Sequence, residues 1–264
     1  MPSLSLKDTA GVSDPDFQLQ VGSVVRRSVS VWGASFFPFL VMGFLFYLPM
    51  AFYFGALVAT NATAASFQVF KTIESLYSGL VNLALGGAVT YGVFQHLRGH
   101  PADTGSIIRA GLRHFGSVWV VSLLSGLAIG LGLLCLIVPG LYFMCSYWVA
   151  VPVAVIEQPG ASASLSRSSE LTDGNRWRIL GILLINGALL LVAMIAVGLV
   201  LFAVITAIGV KPEGPRGAAA SDVAATLGLL PLRTLYAVMA VVGYHDLRVG
   251  REGVDTEELI KVFE

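Results

Sequence analysis

Six long apolar stretches, separated by short polar segments, dominate the order of residues along the chain. A helix needs about 20 apolar residues to cross the hydrocarbon core of a membrane, and these stretches approach or exceed that length. None shows the apolar–polar alternation that is typical of a strand in an outer-membrane barrel, so each predicts a helix. The predicted transmembrane helices cover roughly 36–60, 73–97, 115–138, 141–156, 179–210 and 223–244.

This pattern predicts an all-α polytopic membrane protein whose six transmembrane helices form one bundle over residues 36–245. Residues 1–35 precede the bundle as an N-terminal segment, and residues 246–264 follow it as a C-terminal tail. The Pro139-Gly140 pair predicts a tight break between the third and fourth helices.

The segment before the first predicted helix has apolar residues at helical spacing, and Arg26 and Arg27 lie off this apolar stripe. The stripe consists of Phe17, Val21, Val25, Val29 and Trp32. It predicts a short amphipathic helix, for which two interpretations are open. In the first, the helix lies in the cytoplasmic membrane interface with its arginines near anionic head groups. In the second, it packs as an extension of the bundle.

Composition agrees with a membrane protein. Of the 264 residues, 56% are hydrophobic and 12% are charged, whereas a soluble domain has about 25% charged residues. The formal net charge is zero. A disordered chain needs low hydrophobicity and high net charge, and a nucleic-acid-binding protein needs a basic surface, so the sequence indicates neither class.

The positive charges are divided unequally between the two sides of the predicted bundle. Of the 16 Lys and Arg residues, Arg233 falls inside the sixth predicted helix, and the connections on one side contain only Lys71, Lys211 and Arg216. All the others lie at the two termini and in the connections after the second and fourth helices. Because cytoplasmic connections carry the excess of Lys and Arg, we expect both termini to be cytoplasmic.

Arg233 is the first candidate for a functional residue. A charged side chain at membrane depth costs about 2.5–3.5 kcal/mol on insertion scales, so it is expected to face the protein interior and to have a polar partner. The second helix has a polar and small stripe that includes Glu74 and Asn82, and the fifth helix contains Asn186. We expect the second, fifth and sixth helices to converge, with Asn82 and Glu74 satisfying Arg233.

Two roles are open for this polar core. In the first, the core binds an anion or a lipid head group. In the second, it is a polar contact that fixes the register of the helices.

No catalytic motif of the common hydrolase, metalloprotease or nucleotide-binding classes is present in the sequence. Cys135 and Cys145 lie in apolar sequence. His96 and His100 are four residues apart, but no carboxylate lies close to them in the sequence. We therefore expect no metal and no other cofactor. These observations predict a protein that is not an enzyme.

The stretch from Pro139 to Gly181 contains a Pro-Val pair at residues 152–153, an acidic residue at Glu157 and the run RSSELTDGNRWR at 167–178. The chain also has the ending YHDLRVGREGVD at 244–255. These features resemble a family of bacterial multi-pass proteins, namely the membrane domain that is found fused to glycerophosphodiester phosphodiesterases or alone. The family ending has an aromatic residue where this chain has His245.

The resemblance implies six helices in the bacterial inner (cytoplasmic) membrane. It supplies no catalytic residue, because the phosphodiesterase activity of fused members belongs to a separate barrel domain. The matching motifs give a second set of candidate residues at the cytoplasmic face. For the Trp and Arg residues of this set, the alternative interpretation is that they are ordinary anchors at the membrane interface. This set is Glu157, Arg167, Glu170, Asn175, Arg176, Trp177, Arg178, Asp246 and Arg248.

The sequence therefore predicts a non-enzymatic inner-membrane protein that acts as a membrane scaffold or lipid-interacting module. Its expected partners are the bilayer, anionic lipid head groups and another membrane protein, and no nucleic acid. One alternative is a small transporter or channel with a polar core at Arg233. The other is a membrane enzyme that acts on lipid at the cytoplasmic face and uses Glu157, Arg167 and Glu170.

Overall fold

The computed structural model describes residues 17–60, 63–97, 104–207 and 215–253, without the side chains of residues 58, 104, 205–207 and 215–219. Within these ranges the chain forms helices and no strand. Most of the predicted C-terminal tail, together with His100, lies outside the described residues.

Ten helices follow one another in the described ranges. They are α1 (Val21–Ala34), α2 (Phe36–Ala59), α3 (Ala64–Leu97), α4 (Thr104–Arg113), α5 (Phe115–Cys135), α6 (Ile137–Ser146), α7 (Ala150–Ile156), α8 (Ala161–Thr172), α9 (Arg176–Ala207) and α10 (Pro215–Glu252).

The prediction of an all-α chain with six helices long and apolar enough to cross a membrane is confirmed. These segments are Phe36–Leu57, Ala64–Leu97, Phe115–Cys135, Ile137–Ile156, Arg176–Val204 and Ala220–Glu252.

The two helices α3 and α10 form the centre of the bundle and pack along each other in the same direction. Lys71 on α3 is 3.0 Å from Asp222 on α10 at one end of this contact. Further along, Val89 and Met239 are fully buried in the same core. Helices α1, α2 and α9 also pack on α10, so most elements of the fold contact this one helix.

Helix α1 packs against α10 and α9. Val24 and Ser28 lie at the centre of its buried face, whereas Arg26 is exposed. The Trp32 Nε1–H donates to the carbonyl oxygen of Pro231 and to the hydroxyl of Thr234, at 3.0 Å each. This packing agrees with the interpretation of the N-terminal segment as a helical extension of the bundle.

Helix α4 runs along α3, although its sequence lies in what was predicted to be a connection. Gly111 touches Ala84 and Ala88 of α3. Ala88 is nine residues before the end of α3 at Leu97, or about 14 Å along the helix axis. The chain therefore turns back into the bundle after α3, and α5 begins part of the way along α3 rather than beyond its end.

The break between the third and fourth spans lies at Leu136, which is extended, and not at Pro139-Gly140. Pro139 occupies the first turn of α6, where its missing N–H costs no hydrogen bond. Tyr142 on α6 contacts Arg176 at the start of α9. The α5–α6 connection therefore lies near the end of the bundle where α9 begins, although strict alternation of sides had predicted the opposite end.

Helix α10 continues to Glu252, beyond the predicted end of the sixth span at 244. Its last turns stay helical because Tyr244 and Leu247 are buried against the bundle and Arg248 pairs with Glu252. Asp246 and Arg248, which were assigned to the tail, are therefore part of this helix.

The close contact between α4 and α3 predicts that Gly111→Ala destabilises the protein. A Cβ at Gly111 would lie 2.8 Å from the Cβ of Ala88 and 2.9 Å from the carbonyl oxygen of Ala84, and such overpacking costs about 1–3 kcal/mol. Thermal unfolding of the detergent-solubilised protein measures the effect as a lower Tm.

Gly126→Ala is the matched control, because nothing lies within 4 Å of the added Cβ on α5. Alanine is favoured over glycine in a helix by up to about 1 kcal/mol, so this variant should be as stable as the original or more so. Equal Tm values for the two variants would contradict the packing of α4 on α3.

Candidate functional site

A central cavity of about 570 Å³ lies between α3, α5, α9 and α10, with α6 and α7 completing its wall. Most of its lining is apolar. Polar side chains project from several helices, and they include Asn82, Thr90, Ser122, Ser125, Asn186, Arg233 and Thr234. The predicted convergence of the second, fifth and sixth spans therefore occurs around this cavity.

Arg233, Asn82 and Asn186 line the cavity together, but they are not joined by hydrogen bonds. The Asn82 Nδ2 donates to the carbonyl oxygen of Ser78 on its own helix, at 2.7 Å. The Asn186 Nδ2 is 3.8 Å from the sulfur of Met239. The rise per residue predicts Asn82 and Arg233 at a comparable depth, and the structure leaves open cavity between them rather than a direct contact.

The predicted pairing of Glu74 with Arg233 does not form. No carboxylate of the described chain lies within the 4.0 Å ion-pair distance of Arg233, and Glu74 accepts a hydrogen bond from Thr226 at 3.4 Å. Glu74 precedes Asn82 by eight residues on α3, which is about 12 Å along the axis. The buried Tyr47 hydroxyl lies between the two charges and interacts with both.

Trp148, which the sequence analysis did not identify, also lines the cavity. Its side chain is 4% exposed, and its Nε1–H has no hydrogen-bond partner among the described residues. The six-membered end of the indole packs on Gly243, so the pyrrole end with Nε1 lies away from that glycine. A buried donor without an acceptor costs about 1–3 kcal/mol, and the Nε1 atom is enclosed by protein atoms rather than open to the cavity.

The cavity therefore combines a cation without a carboxylate partner, a few amide and hydroxyl groups and mostly apolar walls. Such a lining favours a ligand that is largely apolar and carries an anionic group with further hydrogen-bond acceptors. A small hydrophilic substrate would leave the apolar walls without contacts.

Three of the candidates from the second set join Tyr244 and Glu252 in a closed ring of five polar side chains. Glu157 accepts from Arg167 Nε at 3.2 Å and from the Tyr244 hydroxyl at 2.7 Å. Arg248 donates to the Tyr244 oxygen at 2.9 Å and to Glu252 at 3.3 Å. Arg167 also donates to Glu252, which closes the ring.

This ring has two positive and two negative charges and joins α8, the end of α7 and the end of α10. Burial opposes the charge of Arg167, but the Glu252 and Glu157 carboxylates outweigh it and raise the pKa of Arg167 above its ordinary value. Both Glu157 oxygens are engaged by protein groups. The charged groups of the ring are thus paired within the protein, which indicates a structural role.

Glu170 and Asp246 do not join this ring. The Glu170 carboxylate accepts from the Ser166 hydroxyl at 3.3 Å, and its carbonyl oxygen accepts from Arg251 at 2.6 Å. Asp246 pairs with Arg27 of α1 at 2.6 Å. The convergence of Glu157, Arg167 and Glu170 that an enzyme at this face would require is therefore reduced to one Arg–Glu pair.

Asn175 and Arg178 hold the segment before α1 against the bundle, and their contacts with this segment are called the clamp below. The Asn175 amide accepts from the Leu19 N–H at 2.7 Å and donates to the Phe17 carbonyl at 2.9 Å. Arg178 donates to the Leu19 carbonyl at 3.0 Å and to the Gln18 side chain. The run at 175–178 thus pairs with the backbone of a non-helical segment more than 150 residues away in the sequence.

Arg176 and Trp177 face away from this clamp. The Arg176 guanidinium lies 4.4 Å from the centre of the Tyr142 ring and is 3.0 Å from Asp173. Trp177 is 85% exposed. Such exposure agrees with the ordinary interpretation of Trp177 as an interfacial anchor.

Sequence reasoning missed Trp148, Tyr244 and Glu252 as members of these sites. Tyr244 and Glu252 lie eight residues apart, and no pattern in the chain indicated that α10 would continue past 244. Trp148 lies within an aromatic-rich stretch, where one aromatic residue is not distinguishable from another before the fold is known.

No family model, curated protein or solved structure matches the chain. The relation to the glycerophosphodiester phosphodiesterase membrane domain therefore stays a prediction. Within the described ranges, no three His, Cys, Asp or Glu side chains are grouped as a metal site would require.

The clamp at Asn175 predicts that Asn175→Ala releases the segment before α1. The side chain is 1% exposed and serves two backbone groups, so its loss should cost about 1–3 kcal/mol. Hydrogen exchange followed by mass spectrometry should show faster exchange in residues 17–21.

Asn175→Asp should have an intermediate effect, because it keeps the acceptor for Leu19 and loses the donor to Phe17. Trp177→Ala removes a neighbouring exposed side chain and should leave the exchange of this segment unchanged. Equal exchange in the Asn175→Ala variant and the original protein would refute the clamp.

The ring predicts that Tyr244→Phe destabilises the protein by about 1–3 kcal/mol, since Glu157 and Arg248 each lose a buried hydrogen bond. Chemical denaturation in detergent measures this loss. Tyr53→Phe serves as the control, because the Tyr53 ring packs on Phe70 and its hydroxyl has no hydrogen bond in the part of the chain that the structure describes. A Tyr244→Phe variant as stable as this control would show that the ring contributes little.

Proposed function

We propose that the protein is a non-enzymatic multi-pass membrane protein that binds an anionic lipid, or a similar amphiphile, within its bundle. The central cavity carries this proposal: Arg233 faces a mostly apolar space and no carboxylate pairs with it among the described residues. A structural arginine inside a bundle is expected to be paired, whereas a ligand-binding arginine keeps donors free for its ligand.

The exposed apolar surface supports the placement in a membrane. Helix α9 exposes a long series of large aliphatic side chains, among them Leu191, Val192, Leu199 and Val200. Exposed apolar surface of this extent is typical of contact with lipid. We further propose that the membrane is the bacterial inner membrane with both termini in the cytoplasm, on the grounds of the charge distribution and the family resemblance.

The size of the cavity agrees with part of a lipid rather than with a whole lipid. About 570 Å³ is within the usual range for small-molecule pockets. A head group and the first part of the acyl chains fit such a volume, and the remainder would extend between helices into the bilayer. Arg233 would hold the phosphate or carboxylate, and the Asn186 amide would donate to an ester or hydroxyl oxygen.

The two alternatives find less support in the geometry. A channel would need a polar path past Tyr47, which is buried between Arg233 and Glu74. An enzyme at the cytoplasmic face would need a free general acid or base, and both Glu157 oxygens are engaged. Binding without chemistry is therefore the function that the site supports best.

The proposal predicts that Arg233→Ala loses lipid that copurifies with the original protein. Lipid extracted from the purified full chain is identified and quantified by mass spectrometry. An arginine–phosphate or arginine–carboxylate hydrogen bond contributes about 1.5–3 kcal/mol, so retention of one anionic species should fall roughly tenfold or more.

Arg113→Ala is the control, because Arg113 is exposed on α4 and does not line the cavity. It removes the same charge and should retain the lipid of the original protein. Identical lipid content in the Arg233→Ala variant and the original protein would overturn the proposal.

A further inference from the structure

A second cavity of about 400 Å³ lies on the other side of α6 from the central one. Val138, Leu141 and Leu180 form its apolar wall, and Arg176 and Trp177 lie at the start of α9 on its other side. Met144 and Tyr147 of α6 line the central cavity instead, so the two spaces occupy different faces of this short helix.

Arg176 lines this second cavity, and its side chain is 28% exposed. Its Nε atom is enclosed by protein atoms, so the outer Nη groups are the ones that can reach a ligand, and Nη1 lies 3.0 Å from Asp173. Asp173 is itself 63% exposed, and an exposed pair of this kind contributes only about 0–1 kcal/mol. The pair is therefore weak enough for another anion to share or replace Asp173.

Arg251 provides a second cation beside the same loop. It donates to the carbonyl oxygens of Glu170 and Asp173, and its Nε atom is also buried without an acceptor in the described chain. The space next to Gly174 is open, since only an Arg251 nitrogen, at 3.7 Å, would meet a Cβ there. Two guanidinium groups thus flank the loop at 173–175.

The surroundings of this cavity indicate a ligand with an apolar part as well as an anionic part. Leu136, Ile137 and Val138 are each more than two-thirds exposed beside it, and Trp177 is exposed at its edge. Aromatic residues of this kind are enriched at the level of lipid head groups, and arginine is well suited to phosphate. A soluble anion would contact Arg176 but would leave the exposed apolar residues uncovered.

We infer that the cavity between α6 and α9 is a binding site for the phosphate head group of an anionic phospholipid. Arg176 binds the phosphate, with Arg251 adding positive charge. The first part of an acyl chain lies along Val138, Leu141 and Leu180. This site uses none of the residues of the central cavity and does not depend on the function proposed for Arg233.

The test uses the full chain, reconstituted from detergent with equimolar phosphatidylglycerol and phosphatidylcholine and then examined by native mass spectrometry. The original protein should retain phosphatidylglycerol in preference to phosphatidylcholine. In the Arg233→Ala background, where the central cavity no longer contributes, Arg176→Gln should lower the retained phosphatidylglycerol roughly tenfold, because a charged hydrogen bond to phosphate is lost. Arg176→Lys keeps the charge and should retain an intermediate amount, since lysine lacks the planar guanidinium.

Leu180→Trp fills the apolar wall without altering Arg176 and should also reduce retention, which tests the cavity even where Arg176→Gln does not fold. Arg113→Gln is the matched control and should bind as the original protein does. The same variants are made in the Arg233→Ala background, which removes the anionic lipid of the central cavity. The phosphatidylglycerol that this background still retains should be lost with Arg176→Gln, so failure here and failure of the central-cavity proposal are distinguishable. Equal retention of the two lipids, or unchanged retention in Arg176→Gln and Leu180→Trp, would overturn the inference.

Discussion

The packing of α10 along the bundle is the contact on which the rest of the structure depends. α3 lies beside it in the same direction, and α1, α2 and α9 pack around it. Because α10 continues to Glu252, it reaches from the central cavity at Arg233 to the ring at Tyr244 and to the loop that Arg251 holds. The polar sites of the fold are therefore positioned by one rigid helix, and their separations follow from its rise of about 1.5 Å per residue.

Polar groups are satisfied differently along this helix. Near its C-terminal end, the side chains of Tyr244, Arg248 and Glu252 all have protein partners. Around Arg233 the side chains of Asn82 and Thr234 also have protein partners, and Tyr47 interacts with Arg233, but no carboxylate of the described chain pairs with this arginine. A fold that pairs its charges at one end has the means to pair them elsewhere, so an arginine without a carboxylate in apolar surroundings is better explained by an anionic ligand than by imperfect packing.

The six spans could be predicted because length and hydrophobicity are properties of local sequence. Arg233, Asn82 and Asn186 could be singled out because polar side chains are rare within apolar stretches of this length. The path of α4 could not be predicted, because Gly111 permits the close approach to α3 only through the partner residues Ala84 and Ala88, which lie more than 20 positions earlier. The assumption that successive connections alternate between the two sides of the membrane failed after that point for the same reason, because it requires each connection to lie beyond the helix ends.

The motif at 167–178 shows how one run of residues can serve several purposes. Arg167 belongs to the charged ring, Asn175 holds the N-terminal segment, and Arg176 faces the cavity beside α6. Helical and loop geometry points neighbouring side chains in different directions, so proximity in sequence does not imply a shared site. The hydrogen bonds of Asn175 are satisfied within the protein, whereas Arg176 pairs only with the largely exposed Asp173. Asn175 therefore fixes the loop from which Arg176 reaches its cavity, and the exposed apolar residues around that cavity favour a lipid as the anion that pairs with Arg176.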